Sequence, residues 1–190
     1  VALKEGFDSL WSARTTESVF RLKDLIRRIV ATIDNLPRKK VAVRLLPVKQ
    51  AAGKFLASGS EDDLAIRPEN AARYAVYVRL ADAIDPGKLV ALYVRFYPLF
   101  QQAYQDLGYP GGYFNDRLIV VIDDLLAAPE VQAPVKLVRP KVFYEFADPD
   151  LESRSAGEKI LMRIGNENAS RIKGKLREIR AELVRQAPRP

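Results

Sequence analysis

From Thr16 to Asn35 the chain reads TESVFRLKDLIRRIVATIDN. Its large apolar residues Leu22, Leu25, Ile26, Ile29 and Ile33, continued by Leu36, fall on one stripe at helical spacing. Arg21, Lys23, Arg27 and Arg28 lie mostly off that stripe, so the pattern predicts one amphipathic helix that Pro37 ends. The period then changes. A basic RKK run at residues 38–40 leads into β-branched residues, and over 41–67 two short apolar runs flank Gly59 and an acidic tip, which predicts short strands or a hairpin. Helical spacing returns over residues 68–84.

The strongest helical signal starts at Asp85-Pro86, a side-chain acceptor followed by a residue whose missing N–H costs nothing at the first helical position. The helix should run to Leu107 and stop at Gly108. One of its stripes holds Leu89, Leu92, Phe96 and Leu99, and the neighbouring one holds Tyr93, Tyr97, Phe100 and Tyr104. Two adjacent apolar stripes predict a helix buried over a wide face. Pro98 shares the third stripe with Lys88, Arg95 and Gln102, which places it outward, where a proline bends a helix around its core. Asn115 is positioned to cap a further helix that Pro129 ends. Residues 135–146 alternate as an extended segment, with Val142, Tyr144 and Phe146 on one side. Ser155 to Glu158 has the form of a capping box opening one long helix to about Gln186. In that helix Ile172, Leu176, Ile179 and Leu183 recur at heptad spacing, a seam for a neighbouring helix or a second copy of the chain.

These elements predict a mainly α single domain over residues 1–190, a helical bundle with a minor β-hairpin or short-strand element. Residues 1–15 are expected to be a flexible or linker-proximal lead-in, and 155–186 the long C-terminal helix. With 48% hydrophobic and 29% charged residues the chain has the balance of an ordinary globular domain, with no stretch long and apolar enough to span a bilayer.

Absent residue types narrow the chemistry. The chain has no cysteine, which removes disulfides, thiolate nucleophiles and iron–sulfur or zinc–thiolate sites. It has no histidine, which removes the usual proton shuttle near neutral pH and the commonest transition-metal ligand. DPDLESRSAGEK, from Asp148, starts like a calcium loop, but Ser153 replaces the glycine at its sixth place and Lys159 the glutamate at its twelfth. No phosphate-binding glycine loop occurs. No catalytic residue, metal site or cofactor is therefore expected, and carboxylates, lysine, tyrosine and arginine are what remain for any reaction.

Two features point toward binding. Residues 93–114 hold eight of the seventeen aromatic residues, beside a Gly-Gly turn and followed by Asn115, Asp116 and Arg117. Tyrosine hydroxyls there either find partners within the core or line a groove. As a groove, the candidate ligand-binding residues are Arg95, Tyr97, Tyr109, Tyr113, Asn115 and Arg117. Charge is the second feature: net +7, with ten basic against three acidic residues over 14–49 and nine against four over 158–190. Such basic ends attract anionic partners. The absence of any nucleic-acid motif and of exposed aromatics among the basic residues argues against nucleic acid.

LIRRIVATIDNLPR, LVALYVRFYPLFQQAYQDLGYPGGYFNDRL, VFYEFADPDLE and SAGEKILMRIGNENA together resemble the sequence blocks of a bacterial family of unknown function, domain of unknown function 3014, over roughly residues 19–183. The resemblance supplies no catalytic residue. It implies an N-terminal membrane-anchoring helix and a proline-rich linker upstream, hence a periplasmic domain that meets the membrane only through that upstream segment; without an anchor the expectation is cytoplasmic. The expected function is a non-enzymatic binding or scaffold module of the bacterial envelope, its partner an envelope protein or glycan. The alternative is a carboxylate-based hydrolase acting on an envelope glycan, which needs two facing carboxyl groups about 5–10 Å apart.

Overall fold

The computed structural model describes residues 2–186; Val1 and residues 187–190 of the expected 1–190 domain lie outside the described residues. The described chain is mainly α, with ten α-helices and a small antiparallel sheet. Four helices make the central bundle: α3 (Leu25–Asn35), α6 (Pro86–Asp106), α7 (Phe114–Leu126) and α10 (Asn166–Gln186). Around them lie α1 (Ala2–Leu10), α2 (Ala13–Val19), α4 (Asn70–Arg73), α5 (Ala75–Ala83), α8 (Pro149–Glu152) and α9 (Ala156–Arg163). Val30, Val90, Phe100, Phe114, Ile122 and Leu183 are buried together between the four bundle helices. Burying such side chains contributes about 1.5–3 kcal/mol each.

The sheet runs β1 (Ala57–Ser58), β2 (Leu64–Ile66), β3 (Lys136–Val138), β4 (Glu145–Phe146) in sequence order, every pair antiparallel. Leu64 sits opposite Leu137, and Leu137 opposite Phe146, so one face carries their side chains. That face covers Val131 and Met162, making a second, smaller core. Strands from both predicted regions thus belong to one sheet, but residues 135–146 are not one extended segment: β3 and β4 fold back on each other, and Val142 sits exposed on the intervening turn while Phe146 is buried.

Tertiary contacts override the local pattern at several places. The helix expected over residues 16–35 is two helices. Phe20 instead bridges to Val48, the Arg21 N–H donates to the Pro47 carbonyl at 2.7 Å, and Asp24 turns left-handed at φ 55° to restart the chain as α3. The long helix expected over 155–186 is also two, because Gly165 adopts φ 94°, a conformation open to glycine and strained for other residues. Helix α7 begins at Phe114 with Tyr113 at its cap position, so Asn115 lies inside its first turn rather than capping it. Leu99, expected on a buried stripe, is 53% exposed, while Pro98 faces outward as its stripe predicts. Where a flexible lead-in was expected over 1–15, α1 packs on α6 and buries Phe7 against Trp11 and Phe20. The heptad seam is consumed internally, with Leu176, Ile179 and Leu183 in the main core and Ile172 beside Leu161 and Ile164.

Helix ends follow capping chemistry. Asp85 accepts the Lys88 N–H at 2.8 Å, and Ser155 accepts the Glu158 N–H at 3.1 Å. The N-terminus of α9 also closes α3. Ala156 and Gly157 donate their N–H groups to the carbonyls of Arg38 and Leu36 at 2.7 and 2.9 Å. A Cβ on Gly157 would stand 2.5 Å from a Leu125 methyl of α7, so a larger residue there would require that side chain to move.

Candidate functional site

The polar centre of the fold is Asp34, in the last turn of α3, where its own helix supplies no cap for its carboxylate. It is buried, and donors from three directions reach it. Arg117, in the first turn of α7, sends Nε to Oδ1 at 3.0 Å and Nη2 to the Asp34 carbonyl at 2.8 Å. Arg38, one turn on, donates to Oδ2 at 2.9 Å, and the Tyr109 hydroxyl reaches the same oxygen at 3.2 Å. Arg38 also donates to the Tyr109 oxygen at 2.6 Å. Both carboxylate oxygens are therefore engaged, and the turn after α6 is tied to the end of α3.

A second hub is Gln101. Its Oε1 accepts the Phe114 N–H at 2.9 Å and the Tyr97 hydroxyl at 3.0 Å, while Nε2 donates to the Gly112 carbonyl at 2.7 Å. The amide thereby satisfies an orphan donor at the N-terminus of α7 and pins the Gly-Gly turn to α6. Tyr104 stacks on Tyr109 at 4.7 Å between ring centroids, and Phe100 on Phe114 at 5.9 Å. Burial pushes the Tyr93 phenol far above its ordinary pKa, with the Tyr97 phenol and Asp116 adding to the shift.

The six candidate residues separate accordingly. Tyr109 and Arg117 converge on Asp34. Tyr97 turns to Gln101, and Asn115 accepts the Tyr93 hydroxyl at a long 3.4 Å. Arg95 stays exposed with its guanidinium 5.4 Å from the Phe96 ring centre, and Tyr113 is 49% exposed. Sequence reasoning missed Asp34 and Gln101. Asp34 lies beside the Ile33 stripe next to a helix stop, and Gln101 is four residues after Tyr97, so each has a helical-neighbour signal but no long-range one.

The other buried carboxylate is Glu158, which accepts from Arg154 at 2.7 Å. Among the described residues no group of three or more acidic side chains is placed to hold a metal ion.

The most exposed large apolar residues lie elsewhere, on the connection between β3 and β4. Val142 is 68% exposed and Phe143 80%. Arg139 organises this tip from within, donating Nε to the Val142 carbonyl at 3.2 Å and holding its guanidinium 5.2 Å from the Tyr144 ring centre. At its base the half-buried Arg163 lies over the Phe146 ring at 5.0 Å and donates to the Tyr144 carbonyl at 2.9 Å; desolvation lowers its pKa. Glu152 accepts the Phe146 N–H at 2.8 Å and the Lys159 ammonium at 2.9 Å. Burial pushes its carboxyl up, but these bonds outweigh that and hold it below the ordinary glutamate range.

A family model described as Protein of unknown function (DUF3014) matches residues 25–180. The chain belongs to this family. No curated protein and no solved structure shows significant similarity. The DUF3014 match takes in α3 through most of α10, and with them the Asp34 cluster, the Gln101 hub and the β3–β4 tip; α1 and α2 precede it.

Proposed function

We propose that this DUF3014 domain is a non-enzymatic binding module of the bacterial cell envelope, and that it meets a protein partner through the tip between β3 and β4. The observation that carries the reading is the adjacent pair Val142 and Phe143, 68% and 80% exposed, preceded by the exposed cations Arg139 and Lys141. Single exposed apolar residues are ordinary. Two in succession, on a tip ordered by an arginine, form a surface that folding alone does not require. Fully burying the two side chains against a partner would contribute about 3–6 kcal/mol, the scale of an interface hot spot. The complementary partner surface is an apolar recess with an acidic rim. The envelope setting rests on the family resemblance.

The test places a photo-crosslinking residue at position 143 or at position 113 in cells carrying the full-length protein. A discrete protein adduct from 143, lost when Val142 is changed to Ser, is the expected result. Adducts from 113 alone would move the contact to the tyrosine turn. Adducts from neither, with Phe143-dependent sedimentation on anionic vesicles, would replace the protein partner by lipid.

A further inference from the structure

Between α1, α3, α6, α7 and α10 lies a cavity of about 190 Å³. Leu3, Phe7, Ile33, Leu92, Phe100 and Leu183 are among its walls, and no polar atom lines it. Native cores carry few voids larger than a water molecule. An engineered cavity of about 150 Å³ lined by leucine, isoleucine and phenylalanine stays dry and takes up benzene. This one is larger and of the same chemistry but partly open at its edge, so it offers water no hydrogen-bond partner and favours an apolar occupant that can enter from the surface.

Its cover is α1. Gly6 allows that helix to lie directly on α6, since a Cβ there would stand 2.4 Å from a Leu92 methyl. Trp11 fastens the end of the cover through its indole N–H to the Leu80 carbonyl at 3.1 Å. Leu3 lines the cavity on one side and, on the other, a surface pocket of about 360 Å³ bordered by Asp24, Arg27, Gln102 and Asp106. Arg27 and Asp106 face each other at 3.6 Å and are both well exposed. Leu3 is thus shared by a partly open, hydrocarbon-like chamber and a polar vestibule with both signs of charge and an amide.

We propose that the cavity binds the hydrocarbon chain of a single-chain amphiphile, about six to eight carbons of it scaled from the benzene case, and that an uncharged, hydrogen-bonding head rests in the vestibule past Leu3. The rim holds two carboxylates against one guanidinium, so an anionic head is disfavoured there and a hydroxyl finds donors and acceptors. The ligand is independent of the β3–β4 tip, and Phe143 substitutions leave its binding unchanged.

Isothermal calorimetry and NMR titration with 1-octanol, octanoate and benzene test the proposal. The intact chain should bind 1-octanol at one site, and benzene should compete for it. Octanoate should bind about five- to tenfold more weakly, the effect of a like charge a few ångströms from a carboxylate in water. Ile33→Phe, which fills the chamber, should abolish octanol binding while the protein stays folded. If that variant fails to fold, nuclear Overhauser contacts between the octanol methyl group and the Phe100 or Phe114 rings decide the matter in the unaltered protein. Absence of octanol binding, binding unchanged in folded Ile33→Phe, contacts to surface residues alone, or octanoate binding as tightly as octanol would each overturn the proposal.

Discussion

Replacing Asp34 by alanine removes the acceptor on which α3, the turn after α6 and α7 converge. The Asp34 side chain is only 6% exposed and Arg117 24%, so that pair is largely shielded; Arg38, at 52%, is screened by solvent. Breaking a buried pair by deleting one partner costs about 3–5 kcal/mol, because the remaining charge stays buried without compensation. The exposed Arg38 contact adds at most about 1 kcal/mol. Asp34→Ala should therefore lower stability by about 3–5 kcal/mol, a fall in Tm of roughly 6–20 °C for a chain of this size. Urea denaturation of Asp34→Asn, Arg117→Gln and the double variant isolates the pair, with an expected coupling of about 1–3 kcal/mol. A loss below about 1 kcal/mol for Asp34→Ala, or coupling indistinguishable from zero, would refute the assignment of Asp34 as the tie between the three elements.

Glu152 has a depressed pKa in the fold, so the stability it contributes is present above the unfolded glutamate value near about 4.3 and is lost as pH falls through the folded value. Glu152→Gln should flatten the acid limb of a Tm-against-pH profile, and an unchanged limb would show the carboxylate to be unlinked to folding. Tyr93 has a raised pKa, so its contribution holds below the unfolded value near about 10 and fades above it; Tyr93→Phe should reduce alkaline destabilisation, measured by circular dichroism across that range. At Gly165, held at φ 94°, alanine should cost about 1 kcal/mol or more in thermal unfolding, and a neutral result would mean that α9 and α10 tolerate another junction.

Helix existence was legible from spacing because burial imposes the 3.6-residue period directly. Pro86 to Asp106 appears as the stripes and the Asp85-Pro86 start require. Element ends were less legible where the deciding contact is distant in sequence. Nothing near Phe20 announces its pairing with Val48, and the Gly165 break lies within a run whose other residues favour helix. The tyrosine turn shows the same division. Its aromatic density was plain, but Asp34 lies 75 residues from Tyr109 and 83 from Arg117, and no local pattern links residues so far apart. The exposure of Val142 and Phe143 escaped the alternation because β3 and β4 are short, and the tip between them leaves the strand period.

Stability and contact should separate between the aromatic turn and the β3–β4 tip. The most direct test is a paired measurement of Tm and of in-cell adduct yield from a photo-crosslinker at position 141, in Phe143→Ser and in Tyr109→Phe. The expected result is that Phe143→Ser keeps its Tm and loses the adduct, whereas Tyr109→Phe loses about 1 kcal/mol, or roughly 2–4 °C, and keeps the adduct. A Tyr109→Phe protein of unchanged Tm that no longer forms the adduct, beside a Phe143→Ser protein that still does, would contradict the account and return the binding surface to the tyrosine turn.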